Sequence, residues 1–123
     1  MKRHITTIYI LALFLLVFSC DLDKGQFTIS NESDFDIEAL SIAPDADNRM
    51  ISLKKGETVE HNINMKMVNT DGTYRLSFKN ESTGQTITRA FGYYTNGYQV
   101  EDNMNIRILN DTIVFNSKFN SSY

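Results

Sequence analysis

The sequence has few of the residues that build covalent or metal-based frameworks. Its 123 residues include one cysteine, one proline and no tryptophan. A single cysteine excludes an intramolecular disulfide and a Cys-rich zinc site. Basic side chains are also scarce, since 12 Lys and Arg stand against 15 Asp and Glu. This balance disfavours a nucleic-acid-binding role, because a phosphate backbone would repel an acidic surface.

The remaining composition is that of a folded domain. Hydrophobic residues make up 41% of the chain and aromatic residues 11%, which is enough to form a core and argues against disorder. The length fits one domain, and no internal repeat is visible. The first 19 positions contain two of the basic residues and no acid. The rest of the chain therefore carries 10 basic and 15 acidic side chains.

The N-terminus has the pattern of a targeting segment. A positive start at residues 2–4 precedes an uncharged and mostly apolar run over residues 5–18. A membrane span needs roughly 20 apolar residues, whereas the core of a signal peptide needs about 7 to 15. The pattern therefore predicts a signal peptide over residues 1–19. Two alternatives remain, a plain secretory signal that is cleaved near Ser19 and leaves Cys20 as a free thiol, and an anchor that is not cleaved.

The end of this run, Leu16-Val17-Phe18-Ser19-Cys20, resembles the lipobox of bacterial lipoproteins. The resemblance implies cleavage before Cys20, a diacylglycerol on its thiol and an acyl chain such as palmitate on the new amine. Two or three acyl chains hold a small domain on a membrane, because each buried methylene contributes about 0.8 kcal/mol. The expected partner of Cys20 is thus a membrane, and the expected location is the cell envelope.

Residues 20–25 form a short polar tether after the leader. It is similar to the acidic stretch that follows the lipidated cysteine in surface-exported lipoproteins of Bacteroidota, which implies the outer membrane. In enterobacteria an aspartate directly after the cysteine, here Asp21, implies retention at the inner membrane. The two family rules point in opposite directions. We expect the outer membrane, and the leaflet that the domain faces stays open.

Residues 26–116 show period-two alternation interrupted by frequent turn signals. Phe27 and Ile29 alternate with polar residues, and so do Val59 and Ile63 in the most regular run. This pattern predicts seven to eight short strands in an all-β fold, a single antiparallel β-sandwich of immunoglobulin-like architecture without a disulfide. Residues 117–123 are predicted to be a polar tail.

One predicted strand changes phase within a single run. Ile37 and Ala39 alternate in one phase, whereas Leu40 and Ile42 alternate in the other. Because strand side chains alternate with period two, a slip of this kind predicts a β-bulge or a strand that changes sheets.

The sequence predicts no catalytic residue and no cofactor. A nucleophile-base pair needs a Cys or Ser beside a His, but Cys20 is assigned to lipidation. His61 is the one histidine after the leader, and it falls on the apolar face of its strand. We interpret it as a structural histidine.

A loop with alternating acids is the sole candidate metal site in the sequence. Asp45 and Asp47 offer alternating oxygen ligands of the kind that calcium accepts. The glycine and the distal glutamate of an EF-hand loop are missing, which favours a solvated acidic loop. No metal site is predicted, and calcium binding by this loop stays open.

The segment FGYYTNGY combines four aromatics, two glycines and an asparagine. Tyrosine offers a rigid contact area with a polar tip, and it is enriched where proteins bind glycans or other proteins. Tyr94, Asn96 and Tyr98 are therefore the candidate ligand-binding residues. In the structural alternative, an aromatic side chain fills the core, Gly92 permits a bulge and Asn96-Gly97 closes a hairpin.

Three functional hypotheses follow. The first is a membrane-anchored envelope lipoprotein whose β-sandwich binds a glycan or another envelope protein through loops at one end. The second is an inhibitor or immunity-type lipoprotein that blocks an envelope toxin or hydrolase, since an acidic surface complements a basic enzyme. The third is a structural subunit that adds an edge strand to a larger assembly.

Overall fold

A computed structural model describes residues 23–118 as nine β-strands without a helix. The strands are β1 (Lys24–Asn31), β2 (Ile37–Ala43), β3 (Ile51–Leu53), β4 (Thr58–Asn64), β5 (Gly72–Asn80), β6 (Thr86–Thr95), β7 (Tyr98–Gln99), β8 (Asn103–Ile108) and β9 (Ile113–Lys118). They form two packed sheets, which confirms the predicted all-β sandwich. The strand beyond the predicted seven to eight is the two-residue β7. No helix of this region is long and apolar enough to span a membrane.

The two sheets have four and five strands. The first has the order β4-β1-β8-β9 and the second the order β3-β2-β5-β6-β7. Neighbouring strands are antiparallel, except that β1 and β8 pair in parallel, from Phe27 beside Met104 to Asn31 beside Ile108. Both strands therefore start at the same end of the sandwich, and six strands of the two sheets lie between them in the chain. Within the described residues, this pair is the one departure from the predicted antiparallel arrangement.

The predicted phase change in β2 is a β-bulge. Ala39 has a positive φ of 49°, and the pairing of β2 with β3 shifts register between Ile37 and Leu40. Beyond the shift, Leu40 and Ile42 are both buried. The bulge therefore lets a single strand direct apolar residues of two phases into the core.

Aromatic rings connect the two sheets at the centre of the core. Phe27 of the first sheet meets Tyr74 of the second edge-on, with ring centroids 5.1 Å apart. Tyr74 also lies 5.4 Å from Phe91, and Phe91 stacks on Phe115 of the first sheet at 4.5 Å. Such pairs stabilise a core beyond the apolar area that they bury.

The sandwich has two ends that differ in their loops. The end at which β1 begins and β9 ends, here the proximal end, carries loops 44–50 and 65–71 and the segment 96–102, which includes the short β7. The opposite, distal end carries the turns that follow β1, β3, β5 and β8. The strands extend two residues beyond the predicted domain at each side, since β1 begins at Lys24 and β9 ends at Lys118.

Candidate functional site

The tyrosine-rich segment forms the end of β6 and the turn into β7. Gly92 has a positive φ of 59°. Next to it the pairing of β5 with β6 shifts register, because Tyr74 lies opposite Phe91 while Gly72 lies opposite Tyr94. One extra residue therefore lies on β6, which is the bulge that the sequence predicts at this glycine.

This bulge decides which tyrosines face solvent. Tyr94 is half-buried and packs against the core ring of Tyr74, with centroids 5.2 Å apart. Tyr93 and Tyr98 are 47% and 48% exposed. Of the two tyrosines predicted to bind a ligand, only Tyr98 therefore presents much of its ring to solvent.

Asn96 and Gly97 form a two-residue turn between β6 and β7. Their φ values of 52° and 78° are both positive, as a type I′ hairpin turn requires. The backbone N–H of Asn96 donates to Asp71 Oδ1 at 2.8 Å, which fastens the turn to the loop before β5. The predicted hairpin is confirmed. Ligand binding by Tyr94, Asn96 and Tyr98 stays a prediction, and the hairpin brings these residues together.

The large hydrophobic side chains that are exposed in the described residues all belong to the proximal end. They are Met50, Met67, Tyr93, Tyr98 and Val100, with exposures between 47% and 82%. Four lie in or beside the proximal loops, and the fifth lies near the end of β6. No sequence motif marks the two methionines or the valine, because their exposure depends on where the strands end.

The second surface feature is an open side between the two sheets. The outer edge of β6 pairs with β7 only at Tyr94 and Thr95, and the outer edge of β9 has no neighbouring strand within residues 23–118. A groove of about 170 Å³ lies between these edges. The apolar side chains that line it are Phe35, Phe78, Ile87, Leu109, Ile113 and Phe115.

Arg89 brings a positive charge into this groove. It lies opposite Leu76 in the register of β5 and β6, so it is on the core-facing side of an edge strand. Its guanidinium donates to the carbonyl oxygen of Thr88 at 2.9 Å and forms no ion pair with a carboxylate of the described residues. Asp111 also lines the groove, from the turn between β8 and β9. An inward charge on an edge strand disfavours pairing with a strand that offers this charge no partner.

His61 lies within the core, as its position on the apolar face of β4 predicts. The residue is 4% exposed, it lies opposite Phe27, and its Nε2 has no hydrogen-bond partner. Burial lowers the pKa of His61 below its ordinary value of 6.5, and the nearby positive charge of Arg49 lowers it further, against the opposite effect of Asp45. The folded protein therefore favours the neutral form of His61.

We expect the stability of the domain to fall as the pH drops below 6.5. The unfolded chain binds a proton on His61 near that pH, whereas the folded chain binds it only at a lower pH, so protonation favours unfolding. Urea denaturation at about pH 7.5 and about pH 5.5 measures this loss. His61→Leu should remove the dependence in this window, because Glu32 and Asp45 have lowered pKa values and titrate below it. Equal pH slopes for the two proteins would contradict the assignment.

The acidic loop candidate uses its carboxylates within the protein. Asp45 Oδ1 accepts the backbone N–H groups of Asp47 at 3.0 Å and Asn64 at 2.9 Å, and its Oδ2 accepts that of Arg49 at 3.0 Å. Asp47 accepts the side-chain amide of Asn64 at 3.2 Å. Burial raises the pKa of Asp45, but the three backbone N–H bonds and the charge of Arg49 outweigh it and hold that pKa below its ordinary value. The same bonds fasten the loop to the end of β4. Residues 23–118 contain no group of three His, Cys, Asp or Glu side chains that could hold a metal ion.

Comparisons with protein-family models, with curated proteins and with solved structures gave no significant match. The predicted lipidation site, Cys20, lies outside the described residues. Function is therefore inferred from the sandwich, its open side and its proximal end.

Proposed function

We propose that this chain is an envelope lipoprotein whose β-sandwich has a non-catalytic binding role, exercised by pairing with an extended segment of another envelope protein. The leader and Cys20 supply the membrane anchor, in keeping with the lipobox resemblance. The observation that carries the binding role is the edge of β6 from Thr86 to Tyr93, which pairs with no strand of residues 23–118 and lies beside a groove lined in part by apolar side chains.

The core position of His61 supports a non-catalytic role. Its ring faces the sheet interior, and no hydroxyl of the described residues bonds its Nε2. General-base catalysis needs a group that reaches its substrate within hydrogen-bond distance. A histidine that is 4% exposed in the core does not offer this.

An incoming strand at β6 would gain two kinds of interaction. The free main-chain groups of an edge strand bond a partner segment in any sequence, which provides affinity. The groove receives alternate side chains of that segment, which provides specificity. Ile87 and Phe115 lie on opposite sides of the groove, so one apolar side chain of the partner would contact both sheets.

Arg89 defines the chemistry of the partner segment. Within residues 23–118 the guanidinium forms no ion pair with a carboxylate, and it lines a groove whose other walls include apolar side chains. A partner strand with apolar side chains at alternate positions and one Asp or Glu facing Arg89 satisfies both features. A charge-assisted hydrogen bond in such a site is stronger than a neutral one. A second copy of this chain would bring two Arg89 side chains into the same region, which disfavours self-pairing through β6.

The test combines crosslinking in cells with a binding measurement. A photoreactive residue replaces Thr88 on β6, and in a matched control it replaces Asn62 on β4, at the opposite side of the sandwich. The captured region of the partner is then made as a peptide and titrated onto the purified lipoprotein. We expect saturable binding, slower amide exchange over residues 86–93, and a loss of at least about tenfold in affinity for Ile87→Lys.

Two results would overturn this proposal. In the first, capture from Asn62 equals capture from Thr88, which means that the β6 edge has no special role. In the second, the peptide binds but leaves the amides of β6 unprotected and tolerates Ile87→Lys. Circular dichroism and the urea midpoint of the variant confirm that it remains folded.

A further inference from the structure

The large hydrophobic side chains that are most exposed in residues 23–118 lie at the proximal end of the sandwich. Met67 is 82% exposed, Val100 is 52% exposed and Tyr98 is 48% exposed, each in or beside a proximal loop. The distal turns contain none of the large hydrophobic side chains that are exposed in residues 23–118. Side chains of this kind gain free energy when they move from water into an apolar phase.

Hydrogen bonds fasten these loops to the start of β1. The backbone N–H of Met65 donates to the carbonyl oxygen of Asp23 at 2.8 Å, which ties loop 65–71 to the first described residue. The side chain of Gln99 bonds both main-chain groups of Gln26, at 2.6 Å and 3.0 Å. The apolar end is therefore also the end from which the chain leads to Cys20.

The length of this connection limits how far the domain can be from the anchor. Three residue steps separate Cys20 from Asp23, so their Cα atoms are at most about 10 Å apart. The acyl chains that the lipobox implies enter the bilayer at Cys20. A domain held this closely meets the membrane surface with its proximal end.

We propose that the proximal end is a membrane-contact surface, in which Met67, Tyr98 and Val100 enter the interfacial layer of the bilayer. The inference rests on the proposed lipid anchor and adds an orientation to it. A tyrosine at the interface buries its ring while its hydroxyl stays hydrated, and Lys66, exposed beside Met67, can bury its stem and keep its ammonium at the headgroups. Interfacial groups of this kind lie about 5–10 Å into the headgroup boundary.

This orientation leaves the open side available. The β6 edge and the β9 edge run between the two ends of the sandwich, so their groove faces sideways when the proximal end rests on the membrane. The groove is lined by residues of the distal half, such as Phe35 and Ile113. A partner strand therefore reaches it from the aqueous side.

The test uses the full, lipid-modified chain in vesicles of phosphatidylethanolamine and phosphatidylglycerol. A single new cysteine is introduced by Met67→Cys or Val100→Cys and labelled with an environment-sensitive fluorophore. Cys20 does not react, because acylation occupies the sole native thiol. The matched control is Ser82→Cys in the exposed distal turn, which carries the same label. Quenching by lipids with a nitroxide on the acyl chain reports membrane depth.

We expect a blue shift and strong quenching for the labels at residues 67 and 100 and neither for the label at residue 82. Equal emission at the three positions, in protein that floats with the vesicles, would overturn the membrane contact and leave the anchor intact. A chain that does not float and lacks acyl groups by mass spectrometry would overturn the anchor itself, and the membrane contact with it. Equal quenching at all three positions would show that the label and not the domain enters the bilayer, and it would also overturn the contact.

Discussion

Replacing Asn31 by alanine should destabilise the domain by about 3 kcal/mol or more. Asn31 is fully buried at the end of β1. The side-chain amide nitrogen of Asn31 donates to the carbonyl oxygens of Phe35 at 2.8 Å and Leu53 at 3.2 Å. Its Oδ1 accepts two hydrogen bonds from Ser33, one from the backbone N–H at 3.1 Å and one from the hydroxyl at 2.5 Å. These bonds join the first sheet to both β3 and the chain entering β2. Truncation leaves buried polar groups of the main chain without partners, which costs more than the bonds themselves contribute.

Two further variants separate this account from a simple loss of volume. Asn31→Asp keeps the shape but removes the amide donors, so it should be at least as damaging as Asn31→Ala. Asn62→Ala, at an exposed position of β4, should change the free energy of unfolding by less than about 0.5 kcal/mol. Urea denaturation of the leaderless chain carrying Cys20→Ser measures all three. A well-tolerated Asn31→Asp would show that the donors are not what Asn31 contributes.

The fold class could be predicted because alternation and turn residues act locally. Strand side chains alternate with period two wherever one face is buried, so the sequence alone indicates the strands around Phe27 and Ile63. The phase change between Ala39 and Leu40 likewise predicts the bulge in β2, because a single extra residue accounts for it.

The pairing of the strands could not be predicted in the same way. Period two states which face of a strand is buried but not which strand lies beside it, or in which direction. The parallel pairing of β1 with β8 joins residues 27–31 to residues 104–108, and nothing in either segment specifies its neighbour. The open edges of β6 and β9, and hence the groove, follow from that order of strands.

The sequence predicts the tyrosine-rich hairpin and its bulge at Gly92, but not which of its side chains face solvent. The composition of FGYYTNGY marks an unusual hairpin, and Gly92 marks the bulge within it. Which tyrosine faces outward depends on the position of the extra residue, and the structure turns Tyr94 toward Tyr74 while Tyr93 is exposed. Met67 continues the buried phase of β4 in the sequence, but the strand ends at Asn64 and the side chain emerges at the proximal end.

Replacing Gly97 by alanine should cost roughly 3 kcal/mol, which combines backbone strain with a steric clash. Gly97 has a φ of 78°, and a Cβ at this position would lie within 1.9 Å of the carbonyl oxygen of Val68. Because the clash is with the main chain of Val68, loop 65–71 has to move to relieve it. This movement strains the hydrogen bond from the Gly97 N–H to the carbonyl oxygen of Thr70, which is 3.1 Å long. Because this loop carries Met67, the same variant should also weaken the membrane contact of the proximal end.

Gly56→Ala is the matched control that measures the backbone strain alone, without the steric clash. Gly56 has a φ of 81°, close to that of Gly97, but a Cβ there would meet no atom within 4 Å. Its replacement should cost only about 1 kcal/mol, the strain of a positive φ in a residue with a side chain. The difference between the two urea midpoints therefore measures the contact between the β6–β7 turn and loop 65–71. If the two variants were equally stable, the close approach of Gly97 to Val68 would contribute nothing, and the proximal loops would not be held together by this turn.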